Sequence, residues 1–202
     1  MANTYLDLQC RIAAEILRTD QTANIQNAIQ RAIEFYAPRR FWFNEQRATT
    51  ATTAGNAYVL YPTGLRVLDA LFVTVSGVGY PLIEQSLATI EDYAQAVSTQ
   101  TQPTEYCIVN GQMRLYPTPN LIYPLTVIGV FDEPALVNPT DANNWTGPAQ
   151  DLIAARAKWK LGAILRNTNL MQFGKAEEAE AYQRLCAETT RRTATGRIDP
   201  SD

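Results

Sequence analysis

The sequence predicts an α+β fold in which a helical layer, built from both ends of the chain, carries an inserted antiparallel β-rich domain. Apolar residues recur at helical spacing in the first forty residues and again after residue 147, whereas β-branched and alternating segments fill the middle. The predicted parts are a helical domain over 1–40 and 145–192, a β-rich insert over 41–144 and an extended C-terminal tail over 193–202. No parallel βαβ unit is expected in this arrangement.

Two amphipathic helices in the first forty residues predict a helical hairpin. The first spans residues 5–18 and begins with Thr4 and Asp7 as a capping pair. The second repeats apolar pairs from Ile25 to Tyr36 and ends before Pro38. The predicted apolar stripe of the first helix is Leu6, Cys10, Ala13 and Leu17, with Leu8, Ile12 and Ile16 beside it.

Strand and turn signals dominate the middle of the chain. Asn110-Gly111 is the strongest, because this pair supplies the positive φ angles of a tight type I′ turn between two strands. Residues 125–131 predict an inner strand that ends at Asp132, and residues 135–147 a polar loop. The other predicted elements are a strand at 41–43, a Thr/Ala-rich loop through Thr53, strands at 58–61, 67–76 and 80–84, and a helix over 86–97 with Ser86 as its N-cap.

Helical patterns return after Gly147 and Pro148 and predict one helix to Arg166 and a second after Asn169. The exposed face of the last helix changes from acidic to basic along its length, which complements the helix dipole. Its acidic residues are Glu177, Glu178 and Glu180, and its basic residues are Arg184, Arg191 and Arg192.

Composition argues against a dedicated nucleic-acid binder or a membrane protein. The 202-residue chain has 17 Lys plus Arg against 20 Asp plus Glu, a net charge of −3, so sequence-independent attraction to a polyanion has no global support. No apolar run approaches the ~20 residues that span a bilayer, and the N-terminus lacks a signal-peptide pattern. We expect a protein that is made and kept in the cytoplasm.

Residues for catalysis or metal binding are scarce, so we predict no enzyme, no cofactor and no metal site. The chain has no histidine, the commonest general base near neutral pH. Cys10, Cys107 and Cys186 have no metal-binding spacing and are expected to be buried or half-buried. The acidic pairs Glu91-Asp92 and Asp132-Glu133 are expected to be solvated or to cap elements, because neighbouring side chains point in different directions.

Aromatic residues concentrate in and around the β-rich insert. About two-thirds are expected to fill the core of a small sheet, and the rest suit either subunit contacts or a sugar-binding surface. They are Tyr36, Phe41, Trp42, Phe43, Tyr58, Tyr61, Phe72, Tyr80, Tyr106, Tyr116, Tyr123 and Phe131.

A combination of motifs over residues 5–45 resembles phage head-to-tail adaptor proteins, and the helix containing Ala154 to Trp159 is similar to the same family less specifically. The motifs are Arg11-Ile12-Ala13-x-Glu15-Ile16-x-Arg18-x-Asp20 and Ile25-x-x-Ala28-Ile29-x-x-Ala32-Ile33-x-x-Tyr36-x-x-x-x-Phe41-Trp42-Phe43-Asn44-Glu45.

The resemblance implies a virion protein that forms a ring, of twelve copies, between the portal and the tail tube or nozzle. DNA would pass through the lumen without sequence-specific binding. In such adaptors the helical layer sits under the portal, the C-terminal segment reaches into it and the β-rich part meets the tail. The alternatives are another tail component, such as a tail terminator or a glycan- or receptor-binding module.

The resemblance implies that the C-terminal segment binds the portal, and its local basic charge and lack of a core-forming pattern agree with this. The alternative is a solvated terminus with no partner. Ile198 is the only large aliphatic residue of the tail and would act as an apolar plug. The predicted portal-binding residues are Arg191, Arg192, Arg197 and Ile198.

Overall fold

The computed structural model describes residues 3–96 and 100–193 and confirms the α+β class. The chain forms two compact units, one from Met1–Asn44 with Asp132–Asp202 and the other from Glu45–Phe131. We call them the helical unit and the β unit. The helices are α1 Tyr5–Glu15, α2 Thr22–Tyr36, α3 Leu87–Ala96, α4 Gln150–Ile164 and α5 Thr168–Thr193; none in the described part of the chain is long and apolar enough to cross a membrane.

Helix α4 lies at the centre of the helical unit and contacts α1, α2 and α5. It is buried over almost its whole circumference from Leu152 to Lys158, as expected of a helix surrounded by others. Ile29 of α2 and Leu161 of α4 are fully buried in the same core. This packing buries Leu8 and Ile12 of α1 together with the apolar pairs of α2, whereas Leu6 and Leu17 of the predicted α1 stripe are exposed.

Helix α1 departs from the prediction in its end and its buried face. A capping box fixes its start, since Thr4 Oγ1 accepts a hydrogen bond from the Asp7 backbone N–H at 3.2 Å. The helix ends at Glu15 because Leu17 adopts a positive φ of 55°. Leu8 faces the core, whereas Cys10 is exposed, so the expectation that all three cysteines are buried or half-buried was wrong for Cys10.

The segment 41–43, predicted as a strand, is instead a turn that packs into the helical unit. Phe41 is fully buried, with its ring centroid 6.0 Å from that of Trp145 in an edge-to-face arrangement. Its backbone N–H donates to Asn44 Oδ1 at 2.8 Å. The aromatic run therefore closes the helical core.

The β unit contains two four-stranded sheets and a short pair, ordered β1-β10-β3-β4, β2-β8-β7-β5 and β6-β9. The two larger sheets share one core, to which Leu71, Val127 and Met113 each contribute a fully buried side chain. The strands are β1 Glu45–Ala51, β2 Tyr58–Leu60, β3 Leu65–Val75, β4 Val78–Pro81, β5 Ile83–Glu84, β6 Gln100–Thr101, β7 Glu105–Val109, β8 Gln112–Tyr116, β9 Thr118–Pro119 and β10 Pro124–Phe131.

Strand β1 occupies the Thr/Ala-rich stretch that was predicted as a loop. It pairs antiparallel with β10 from Glu45↔Val130 to Ala51↔Pro124. Most of its side chains are exposed or half-buried, so it lacks the apolar alternation by which a strand is recognised. β-branched threonines nevertheless suit an edge strand.

The expectation of no parallel βαβ unit was wrong. Strand β5 pairs in parallel with β7, and α3 lies between them in the chain. The Ser86 hydroxyl caps α3 by accepting the Thr89 backbone N–H at 3.1 Å. Because β5 has only two residues, the sequence does not distinguish it from the preceding strand, and residues 80–84 were predicted as one strand.

The Asn110-Gly111 hairpin is confirmed. Both residues have positive φ angles, 48° and 72°, and they join β7 to β8. On β8, Arg114 pairs with Glu91 of α3 at 2.7 Å, so Glu91 is a structural ion-pair partner.

Ten of the twelve aromatic residues singled out from the sequence are buried or half-buried. The two exposed ones, Tyr58 and Tyr80, lie on β2 and β4, in different sheets.

Candidate partner-binding surface

Helix α5 packs very closely against α4 although only three of its 26 residues, Gly174, Ala181 and Leu185, are buried. A Cβ at Gly174 would lie 2.7 Å from the Trp159 backbone N, and one at Gly162 would lie 2.8 Å from the Met171 backbone N. The two glycines therefore allow the backbones to approach. Most of the α5 surface remains available to other molecules.

Two buried cations of α4 bind consecutive glutamates of α5. Arg156 Nη1 lies 2.6 Å from Glu178 Oε1. Lys158 Nζ lies 2.6 Å from Glu15 of α1 and also pairs with Glu177. Arg156 and Lys158 are only 8% and 7% exposed, so their partners are needed to balance buried charge.

The pKa values of this network follow its ion pairs. Burial works to lower the pKa of Lys158, but hydrogen bonds to Glu15 and Glu177 outweigh it and raise that pKa. Burial works to raise the pKa of Glu15, but hydrogen bonds from Lys158 and Arg11 hold it below its usual value. Asp151 behaves similarly: burial is outweighed by Arg11 and Arg184, and its pKa is lowered.

A cleft of about 280 Å³ between α2, α4 and α5 combines cations with aromatic rings. The Arg39 guanidinium lies 5.3 Å from the ring centroids of both Phe35 and Tyr182, and Arg156 lies 3.4 Å from that of Phe35. The Tyr36 hydroxyl donates to Glu178 at 2.5 Å. We call this the cationic cleft; Phe35, Tyr36, Arg39, Arg156, Lys175 and Tyr182 line it together with Glu178.

The end of α5 carries a second cluster of arginines, next to Trp42. Glu188 accepts from both Arg191, at 2.6 Å, and Arg192, at 2.5 Å. These hydrogen bonds, first that of Arg192, lower the pKa of Glu188. The Arg192 guanidinium also lies 3.9 Å above the Trp42 ring, a cation–π contact.

A groove of about 270 Å³ runs beside this cluster, between α4 and α5. Leu152, Ala181 and Leu185 contribute its apolar lining, and Arg184 and Arg192 lie at its sides. Trp42 Nε1 is buried and has no hydrogen-bond partner in the described part of the chain. A groove with an apolar lining, basic sides and a buried, unsatisfied donor is typical of a site that contacts another molecule.

Comparison of the chain with models of protein families identifies the family to which it belongs. A model of the SU10 adaptor protein family matches residues 3–200, nearly the whole chain. The chain belongs to the SU10 adaptor family. The resemblance to phage head-to-tail adaptors is therefore confirmed, while no curated protein matches the chain.

In this SU10 adaptor, the two predicted portal-binding residues that the structure describes lie together on the last turns of α5. Arg191 and Arg192 share Glu188, whereas Arg197 and Ile198 lie outside the described residues. The structure thus adds Trp42 and Glu188 to this part of the adaptor.

Sequence reasoning missed the buried cations and the cationic cleft of the adaptor. Arg156 and Lys158 stand in a helix that also carries Asp151 and Lys160, so the charge pattern alone does not single out the two buried cations, although charges are almost never buried unpaired. Arg39 and Tyr182 are 143 positions apart in the chain, and nothing in either segment indicates the other.

The glutamate of each acidic pair of the adaptor has a structural partner. Glu91 pairs with Arg114, and Glu133 Oε2 accepts from Asn144 Nδ2 at 2.9 Å. Within residues 3–96 and 100–193, no group of three or more His, Cys, Asp or Glu side chains could hold a metal ion.

Proposed function

We propose that this protein is a structural virion subunit that forms a ring between the portal and the tail tube or nozzle, with DNA passing through its lumen. The observation that carries the proposal is the adaptor-family match over residues 3–200. Twelve copies would match a twelve-fold portal. The protein would assemble in the host cytoplasm and reside in the neck of the virion.

The electrostatics of the chain suit a conduit. A net charge of −3 gives little general attraction for a polyanion, so DNA can slide past a wall of this kind without the salt-sensitive grip of a basic surface. Ion pairs also occupy the buried cations Arg114, Arg156 and Lys158. These features support passage of DNA in preference to its binding.

Imaging of the purified protein with its portal tests the proposal. Negative-stain class averages should show an extra ring on one end of the portal, with about twelve-fold symmetry, which portal alone lacks. The experiment uses the full-length protein, which contains both the β unit and the helical unit. Absence of any complex at micromolar concentrations would contradict the proposal.

The C-terminal segment is proposed to make the portal contact, through Arg191, Arg192, Arg197 and Ile198. Arg191 supports this, because 76% of its side chain is exposed despite its ion pair with Glu188. A ring repeats each contact many times, so a modest contact per copy gives strong attachment.

Removal of residues 194–202 tests the segment separately. This deletion retains Thr193, the last residue of α5, and leaves Glu188 with its arginines. Attachment to portal-bearing heads should fall at least about ten-fold, while the melting temperature of the free protein stays at the wild-type value. Wild-type attachment by the truncated protein would remove the segment from the proposal.

A catalytic role is not part of the proposal, because the chain has no histidine and Glu91 and Glu133 of the two acidic pairs are engaged in structural contacts. Hydrolase, transferase and lyase assays should therefore be negative, and zinc or iron copurifying at one per chain would contradict this. A glycan-binding alternative would favour aromatic residues along one sheet. The exposed Tyr58, Tyr80 and Tyr93 lie on three different elements.

A further inference from the structure

The cationic cleft has an excess of positive charge that the described residues of the helical unit do not neutralise. Arg39, Arg156 and Lys175 line it, with Glu178 as the one carboxylate among its lining residues. Glu178 is engaged by Arg156. Arg39 and Lys175 contact aromatic rings, and neither has an ion pair among the described residues. Two cations on an aromatic surface are therefore available to a partner.

A surface of opposite character lies on the other side of α5. We call it the acidic face and define it by Phe173, Glu177 and Glu180. Phe173 is 70% exposed, and Glu177 is paired with Lys158. Glu180 is exposed and, within the described residues, without an ion pair. This face thus presents an aromatic ring beside an unpaired carboxylate.

Charges around the acidic face sum to the opposite sign from those of the cleft. The pocket next to Glu180 has three cations, Arg11, Lys158 and Arg184, all of them ion-paired to Glu15, Asp151 or Glu177. Those three carboxylates and Glu180 make four acids against three bases. The surplus negative charge is the one on Glu180, which complements the unpaired cations of the cleft.

The two surfaces point in nearly opposite directions. Successive residues of an α-helix are rotated by about 100°, so Phe173 and Tyr182, nine positions apart, project about 180° from each other across α5. A contact between two different surfaces of the same molecule is head-to-tail, and repetition of such a contact closes a ring when the rotation permits it. An isologous dimer would not need this arrangement.

We infer that the cationic cleft of one copy receives the acidic face of the next, with Glu180 between Arg39 and Lys175 and the Phe173 ring on the aromatic lining. This inference rests on the proposed ring and names its lateral interface. Burial of an exposed ring as large as that of Phe173 is favourable. In the cleft the ring would contact a lining in which guanidinium groups already lie against ring faces. The occupant is a second copy of this chain, because both complementary surfaces lie on the same helical unit.

Charge exchange within one chain tests the inference. Lys175→Glu reverses the cleft and Glu180→Lys reverses the acidic face, and each should lower the number of copies bound per portal about ten-fold. The chain carrying both changes regains opposite charges on its two surfaces and should recover most of the binding. Arg166→Glu, at an exposed position between α4 and α5, changes net charge as Lys175→Glu does and should bind like wild type.

Native mass spectrometry of the portal complex counts the bound copies. Single variants that bind like wild type, or a double variant no better than either single, would overturn the interface while leaving the adaptor ring intact. A loss with Lys175→Glu alone would assign the cleft to an acidic segment of the portal and equally overturn it. If wild-type protein binds no portal, the proposed function fails, and sedimentation of the free variants at high concentration decides the interface by the same pattern, with monomeric wild type counting against it.

Discussion

Asn44 shows how one buried side chain redirects the chain. It is fully buried, and its Oδ1 accepts the Phe41 N–H while its Nδ2 donates to the Arg39 carbonyl, both at 2.8 Å. A buried amide with both ends satisfied fixes local geometry strongly. The segment before β1 is therefore a turn, although its aromatic composition favours a strand.

Ile29→Asp is expected to destabilise the protein by several kcal/mol. Ile29 is fully buried in the helical core, and the change leaves either an unpaired charge or a neutral acid without a partner in an apolar site. Urea denaturation followed by circular dichroism measures the effect. Asn27→Asp, at an exposed position of the same helix, is the control and should stay within about 0.5 kcal/mol of wild type. Equal midpoints for the two variants would contradict the buried position of Ile29.

Residues that act through distant partners were beyond sequence reasoning. Arg191 and Arg192 were predicted to bind the portal from the resemblance and their local basic charge, and that role stays a prediction; in the structure both pair with Glu188. Trp42 was noted among the twelve aromatic residues and in the motif 41–45, but its contact with Arg192 was not predicted, because it joins two segments 150 positions apart. A contact of that separation leaves no mark on local periodicity.

At the scale of elements, strong local chemistry predicted well and weak patterns did not. The Asn110-Gly111 turn and both N-terminal helices follow from turn residues and 3.6-residue periodicity. Strand β1 was missed because hydrogen bonds to β10 define it, while its side chains are largely exposed. Strand β5 was missed because it has two residues and pairs across α3.

Gly111→Ala is expected to cost about 1 kcal/mol or more, because Gly111 has a φ of 72° that an L-residue adopts with strain. The space around its Cβ position is open, so the cost is conformational and independent of packing. Gly79→Ala also meets no neighbour within 4 Å and lacks a positive φ, which makes it the matched control. Thermal melts should rank Gly111→Ala clearly below Gly79→Ala, and the reverse order would contradict the turn.

For the whole molecule, stability should fall on acidification. The lowered pKa values of Glu15 and Asp151, caused by their basic partners against the effect of burial, mean that both contribute stability above their ordinary values of 4.5 and 3.8. That contribution is lost as pH falls through the folded-state values, which lie lower. The pKa of Lys158 is raised, so its ion pairs contribute to stability below pH 10.5, its ordinary pKa. That contribution is lost in strong alkali.

Urea denaturation at pH 7, 4.5 and 3 measures how the free energy of unfolding falls as the pH is lowered. Glu15→Gln removes one of the titrating groups, so the variant should be less stable than wild type at pH 7, and the difference should shrink at pH 3. A difference that is independent of pH would show that the Glu15 carboxylate gains nothing from Lys158 and Arg11 in the folded state.

The pairing of β1 with β10 places the first and last residues of the β unit on adjacent strands, with Glu45 opposite Val130. Paired antiparallel residues have Cα atoms about 5 Å apart, so the chain enters and leaves the insert at two neighbouring positions. A segment whose ends lie side by side can be lengthened, shortened or exchanged while the flanking residues Asn44 and Asp132 keep their positions. The β unit can thus change in evolution without redesign of the helices, and a short Gly/Ser bridge between those two residues is the natural way to make the helical unit by itself.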